Sequence, residues 1–308
     1  MNLLSLLLPV VGLSLFEVIS SIDNAIINAE VLSTMKPKYR GWFLFWGLLF
    51  AVIIVRGLLP LLIVWMVSPG LGPVGAFTAT FSGDPHIVES IESSSPLLLM
   101  GGGVFLLFLF FHWIFLEEKQ FGLPGERFIF SQGVWFYAVV SVLLTTIVWF
   151  AISIEPLLAF SAVVGSTAFF ITHGFKQQAQ LAEKSLMKGS GGMSDISKIL
   201  YLEVIDTTFS IDGVLGSFAF TLSVPLILLG NGLGAFVLRE LTVHNIERIK
   251  KYIYLKNGAM YSILFLGTIM IADAFGMSIP HYLSPIITFA VVGYFFVKSR
   301  FVASSAHL

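Results

Sequence analysis

The chain has 308 residues, of which 56% are hydrophobic and 11% charged, against about 25% charged in an ordinary soluble domain. That balance excludes a water-soluble globular protein, and the absence of cysteine excludes disulfides and thiolate metal sites. A net charge of −1, with no basic patch interleaved with aromatics, offers nucleic acid no surface.

A transmembrane helix needs about 20 consecutive, mostly apolar residues to cross a hydrocarbon core roughly 30 Å thick. On that measure the sequence predicts an all-α polytopic membrane protein of about nine helices. The first span, Leu3–Ala29, has no Lys or Arg ahead of it and carries Glu17 and Asp23. A cleaved signal peptide needs the reverse, so this reads as a retained span. The second, Gly41–Val67, contains Arg56. An outer loop at Ser68–Ser95 follows, with Asp84, His86, Glu89 and Glu92 but no cation. It reads as a solvated loop with a mild pull on cations before salt screening.

Spans three, four and five are Leu97–Leu116, Gly133–Ile152 and Ile154–His173. Neither His112 nor His173 has a second His or Cys three or four residues away, so both read as packing or interfacial residues. Glu155 sits in the turn between spans four and five and reads as a solvated helix end. The inner linker Gly174–Lys198 is helix-like to Lys188 and then turns flexible at Gly189-Ser190-Gly191-Gly192, a composition that resists regular structure. It separates an N-terminal membrane half, 1–173, from a C-terminal half, 199–308.

Span six, Ile199–Thr221, carries Glu203, Asp206 and Asp212. Span seven, Val224–Leu241, is short, is weakened by Gly230, Asn231, Gly232 and Gly234, and holds Arg239 at its inner end. Gly258–Gly276, with Asp273, and His281–Val297 complete the series. Trp42, Trp46, Trp65, Trp113, Trp135 and Trp149 fall mostly near span ends, where an aromatic belt sits.

Of the 17 Lys and Arg, all except Arg56 fall on the connections after spans one, three, five and seven, at the inner end of span seven, or near the C-terminus. Cations accumulate on the cytoplasmic side. The N-terminus is therefore expected outside and the C-terminus inside, in a cytoplasmic (inner) membrane.

Glu17-Val18-Ile19-Ser20-Ser21-Ile22-Asp23-Asn24 has a counterpart in Asp206-Thr207-Thr208-Phe209-Ser210-Ile211-Asp212-Gly213. Each reads acid, five residues, Asp, then Asn or Gly, with Ser-Ile-Asp in the same place. An odd number of crossings separates spans one and six, so the copies run in opposite directions. That is the inverted repeat of secondary transporters, whose site lies at the repeat interface near the midplane; here it would relate spans 1–3 to spans 6–8. A carboxylate at that depth costs about 2.5–3.5 kcal/mol on insertion scales. Glu17, Glu203, Asp206 and Asp212 therefore either bind a cation or pair with Arg56 and Arg239 and hold helices together. Acids six residues apart point about 120° apart on a straight helix. A shared cation thus predicts local unwinding at Asp23-Asn24 and Asp212-Gly213.

The candidate metal residues are Glu17, Asp23, Asn24, Glu203, Asp206 and Asp212. Ser20, Ser21, Thr207, Thr208 and Ser210 supply hydroxyls, and Arg56 and Arg239 are charge partners. This hard, all-oxygen set suits Mg²⁺, Ca²⁺ or Mn²⁺ rather than zinc or copper. The cation is expected as cargo, and no prosthetic group is expected.

Ser21-Ile22-Asp23-Asn24-Ala25 and Phe209-Ser210-Ile211-Asp212, each followed by an arginine in the next helix (Val55-Arg56-Gly57, and Gly234-Ala235-Phe236-Val237-Leu238-Arg239), resemble the TerC family, named for tellurium resistance. The likeness covers spans one, two, six and seven. It implies a membrane fold of the lysine-exporter superfamily kind and export of a divalent cation, manganese above all. Glu17, Asp23, Asn24, Asp206 and Asp212 would handle the ion. The outer loop, the inner linker and Glu203 depart from the better-known members and point to a separate branch.

Two functions compete. One is a secondary transporter that rocks one repeat against the other around a divalent cation. The other is a membrane interaction protein that supplies metal to, or organises, secreted or membrane partner proteins. An enzyme is not expected, because no His-Glu-x-x-His, nucleophile elbow or Gly-x-Gly-Asp sequence occurs.

Overall fold

A computed structural model of the chain describes residues 3–33, 35–67, 69–72, 74, 85–118, 122–188, 194–244, 252–280 and 282–305. The described residues contain no strand. The chain enters as α1 (Leu3–Ser20) and α2 (Ile22–Ser33), interrupted at Ser21. Helical hydrogen bonds nevertheless continue across the interruption, from Ser21 N–H to the Glu17 carbonyl (3.2 Å) and from Ala25 N–H to the Ser21 carbonyl (3.0 Å).

The next apolar stretch, Pro37–Ile63, is not one regular helix. It comprises α3 (Pro37–Trp42), a π-helical segment at Phe43–Gly47, the short α4 (Leu48–Phe50), a second π-helical segment at Ala51–Leu58, and the start of α5 (Leu59–Val67). Pro60 has no N–H to offer the carbonyl one turn back, so the turn carrying Arg56 loses a regular helical bond. Such widened turns recur where a helix serves a site.

Beyond lie α6 (Pro85–Leu116), α7 (Pro124–Ser131), α8 (Phe136–Ile152), α9 (Pro156–Lys188), α10 (Asp195–Ser217), α11 (Val224–His244), α12 (Leu255–Ala274) and α13 (Leu283–Ser305). Proline opens α6, α7 and α9, at the first turn where its missing N–H costs nothing. The Ser194 side chain accepts Ser197 N–H at 3.2 Å to cap α10, satisfying one of its free N-terminal donors.

Two expectations are corrected. The outer loop expected at Ser68–Ser95 is helical from Pro85 onward; Asp84 and the side chains of His86, Glu89 and Glu92 lie outside the described residues. The helical stretch expected from Gly174 to Lys188 is present, as the unbroken continuation of α9. The unwinding expected at Asp212-Gly213 does not occur, and α10 stays helical through Ser217. Ser217 Oγ donates to the Gly213 carbonyl at 2.7 Å, so that carbonyl is already satisfied inside the helix.

Among the described residues, seven helical stretches are long and apolar enough to cross a membrane: Pro37–Ile63, Ser93–Leu116, Gly133–Ile152, Pro156–Gln178, Val224–Thr242, Leu255–Ala274 and Leu283–Val302. Leu6–Ser20 is a shorter apolar helix. Large apolar side chains point outward: Phe45, Trp149, Phe160 and Leu200 are all more than half exposed, a surface that lipid rather than water covers. The chain is a multi-pass helical membrane protein. Of the six tryptophans five are exposed, as a belt requires, while Trp113 is buried in the core.

Without a hydrophobic force between helices in lipid, close packing needs small residues. A Cβ on Gly230 would lie 2.6 Å from Leu13 Cβ, and one on Gly234 would lie 2.6 Å from Glu17 Cβ. Two of the glycines that weaken span seven in sequence, Gly230 and Gly234, are the face on which α11 receives α1, while Gly232 faces Val52. On the other side of α1, a Cβ on Gly216 of α10 would lie 2.6 Å from Phe16 Cε1. The first helix is thus wedged between α10 and α11, and its acid is delivered to both.

Candidate functional site

Glu17, Arg56, Glu203, Asp206 and Arg239 are all buried and form one connected ionic network. Arg56 Nε donates to Glu17 Oε1 at 3.1 Å, Nη2 pairs with the same oxygen, and Nη1 lies 3.9 Å from Asp206 Oδ2. Arg239 Nη2 donates to both oxygens of Glu203, at 3.1 and 3.3 Å, and lies 3.6 Å from Asp206 Oδ2. Asp206 therefore bridges the two guanidiniums. Planar guanidinium forks suit this task, because they offer several donors in fixed directions to more than one carboxylate.

The local backbone explains how this fits. A Cβ on Gly213 would stand 2.8 Å from Glu17 Oε2, so the bare glycine leaves room for the carboxylate. A Cβ on Gly47 would lie 2.5 Å from Arg239 Nη1 and 2.9 Å from Glu203 Cδ, so Gly47 makes the same allowance for the second pair. The π-helical turn there also presents the Phe43 carbonyl, to which Arg239 Nη1 donates at 2.6 Å, and the guanidinium sits 4.2 Å above the Phe43 ring. Ser21 Oγ donates to Glu17 Oε1 at 3.3 Å.

The other hydroxyls expected as ligands are engaged within their own helices. Ser20 Oγ donates to the Glu17 carbonyl (3.3 Å), Thr207 Oγ1 to the Glu203 carbonyl (2.7 Å) and Ser210 Oγ to the Asp206 carbonyl (2.7 Å). Asp212 does not join the arginine network; its Oδ2 pairs with Lys176 of α9. The side chains of Asp23, Asn24 and Thr208 lie outside the described residues. Among the described residues no three His, Asp or Glu gather as a group able to hold a metal ion. The acids have turned first to cations supplied by the chain itself, which low dielectric favours strongly.

Beside the network lies a cavity of about 10 Å³, room for about one water. Asn28, Arg56, Asp206, Arg239 and Thr242 line it, and Asn28 Oδ1 is buried without a hydrogen-bond partner. Sequence reasoning missed Asn28, Thr242 and Lys176. Only Lys176 had a signal there, since the helical pattern runs past His173. The same reasoning searched for a histidine partner along one helix, whereas His112 of α6 and His173 of α9 meet across helices with ring centroids 3.9 Å apart.

A second buried carboxylate lies apart from the network. Glu126 of α7 accepts Asn257 Nδ2 at 2.9 and 2.8 Å and Leu123 N–H at 2.9 Å, docking the short α7 onto α12. Nearby, Lys256 pairs with Glu117.

No curated protein and no solved structure matches the chain. A family model described as a protein of unknown function (DUF475) matches residues 22–306, a stretch that holds Arg56, Lys176, Glu203, Asp206, Asp212 and Arg239 and begins just after Glu17. The chain belongs to that DUF475 family.

Proposed function

We propose that the protein is a secondary transporter that exports a divalent metal cation, Mn²⁺ foremost, through the buried carboxylates of α1 and α10. The observation that carries this reading is the doubled arrangement around Asp206. Glu17 of the first acidic helix pairs with Arg56 of the following stretch, Glu203 of the second pairs with Arg239 of its following helix, and Asp206 touches both arginines. The two pairs are offset by three residues, since Glu17 aligns with Asp206 rather than with Glu203, but an acid–arginine pair on each acidic helix supports an inverted repeat, whose interface is where a transporter keeps its site. Ionisable groups kept at such depth are functional by default. In this reading α1–α2 and α10 complete nine spans in a cytoplasmic membrane, with the N-terminus outside and the C-terminus inside.

Three carboxylates face two guanidiniums in the network, leaving one negative charge in excess. The preference for Mn²⁺ over Mg²⁺ or Ca²⁺ rests on the resemblance to the TerC family, and the all-oxygen donor set accommodates all three. Rocking of the two halves would open the network to one side at a time, and the arginines would hold the acids between cargoes.

The test is Mn²⁺ flux in liposomes containing only the purified protein. Glu17→Gln, Asp206→Asn and Asp212→Asn are each expected to reduce flux by about tenfold or more, the loss of one transition-critical charge contact, while inserting normally. Wild-type flux in all three would overturn the proposal. The competing reading, an interaction protein that organises partners, takes the arginine pairs as structural. It predicts no flux from pure protein and co-purifying secreted or membrane proteins.

A further inference from the structure

Lys176 belongs by sequence to a basic connection, yet it is only 8% exposed and pairs with Asp212. Asp212 Oδ1, its second oxygen, is buried and accepts no hydrogen bond. A carboxylate with one oxygen taken by an ammonium and the other left bare is half of a cation site already in use. Gly213, the next residue, lies against Glu17 Oε2, so this half-site adjoins the arginine network.

The three cations differ in the shape of their charged groups. Arg56 is caught by Glu17, Asp206 and the Ala51 carbonyl. Arg239 is held by Glu203, Asp206, the Phe43 carbonyl and the Phe43 ring. Guanidiniums so forked have no second place to go. Lys176 is a compact charge on a flexible four-carbon stem, placed on the long α9, along which the stem can swing toward water.

The charges also count in favour of Lys176. Among the described side chains, Glu17, Glu203, Asp206 and Asp212 face Arg56, Arg239 and Lys176, four negative groups against three positive. With Lys176 withdrawn the excess becomes two, the charge of one divalent cation.

We propose that the Lys176 ammonium is a tethered stand-in for the cargo: it occupies Asp212 while the carrier is empty, and the arriving divalent cation displaces it and takes both Asp212 oxygens. This rests on the transporter reading above. The stand-in lets an empty carrier reorient without exposing an unpaired carboxylate to the bilayer interior, and it makes release of the cargo an exchange rather than a bare dissociation.

The experiment is a calorimetric titration of the detergent-purified full chain with Mn²⁺. Lys176→Ala removes the competitor and is expected to bind Mn²⁺ about tenfold more tightly, as loss of a neighbouring like charge favours a cation. Excess methylammonium, a free amine that refills the vacated space, is expected to return the affinity to the wild-type value. Lys176→Arg keeps the ion pair but grips Asp212 with a fork, and is expected to bind about tenfold more weakly. Unchanged affinity in both variants, or no effect of methylammonium, would overturn the proposal; if Lys176→Ala fails to fold, Lys176→Arg alone decides. A wild-type chain that binds none of Mn²⁺, Mg²⁺ or Ca²⁺ removes the transporter reading and the stand-in with it. Wild-type binding without these shifts removes only the stand-in.

Discussion

Glu17 and Arg56 are each 1% exposed, so neither charge has water to fall back on. Removing one partner leaves the other buried and uncompensated, which costs about 3–5 kcal/mol, whereas removing both is often close to neutral. Arg56→Met should therefore lower the melting point in detergent sharply, and Glu17→Met/Arg56→Met should recover much of the loss. A double variant as unstable as the sum of the singles would contradict the pairing. Gly213 gives a steric counterpart, since an added Cβ would stand 2.8 Å from Glu17 Oε2, while at Gly174 it would meet nothing within 4 Å. Gly213→Ala is expected to cost about 1–3 kcal/mol by overpacking. Gly174→Ala, in the exposed face of α9, is expected to gain up to about 1 kcal/mol from helix propensity. Thermal melts of the two side by side would show opposite signs. At this scale the sequence already singles out the acids and both arginines, because a charge in an apolar run stands out wherever it points. Asn28 was not legible as a site residue, since an amide in a helix is ordinary until a neighbouring helix closes over it, and Lys176 left only the trace of a helical pattern that runs past His173.

The helices owe their arrangement to residues that look like defects in one dimension. Gly230 and Gly234, four apart on α11, receive Leu13 and Glu17 of α1, and Ser14 Oγ donates to the Gly230 carbonyl at 2.9 Å. Gly230→Ala/Gly234→Ala should push α1 away from α11 and loosen the Glu17–Arg56 pair together with the packing. Faster proteolysis and lost Mn²⁺ flux are expected; unchanged values for both would show that α1 tolerates the displacement. The short α7 depends on one carboxylate in a similar way. Asn257→Leu removes two of the hydrogen bonds to Glu126, which is itself 1% exposed. The loss of charge-assisted bonds of about 1.5–3 kcal/mol each should release α7, read as new protease cleavage between α6 and α8 with the remaining helices intact. Element positions were largely legible, since apolar runs of membrane length have few alternatives. The π-helical turns at Phe43–Gly47 and Ala51–Leu58 were not, because a proline such as Pro60 marks a lost helical bond but not the wider turn that then presents the Phe43 and Ala51 carbonyls to Arg239 and Arg56. The continuous α10 through Gly213 was missed for the same reason: a glycine packed against Glu17 has no freedom left with which to break a helix.

At the scale of the whole molecule, the direction of any transport depends on which way the bundle faces. The placement of Lys and Arg argues for inner connections after the first, third, fifth and seventh spans. Three of those cations, Lys176, Lys198 and Arg239, are buried; Lys176 pairs with Asp212 and Arg239 belongs to the ionic network, so these three carry no weight in the count. The remaining cations, Arg127 on α7 among them, still fall on the inner connections. The absence of cysteine makes a direct test simple, because one introduced thiol is the only one present. Ser153, exposed in the turn between α8 and α9, and Ser131, exposed at the end of α7, lie on opposite ends of α8. A membrane-impermeant maleimide applied to intact cells should label Ser153→Cys at once and Ser131→Cys only after the membrane is opened. The reverse pattern would turn the bundle over. It would leave the network, the Lys176–Asp212 pair and the glycine packing untouched, and would place the end of α9 along which Lys176 can swing outside.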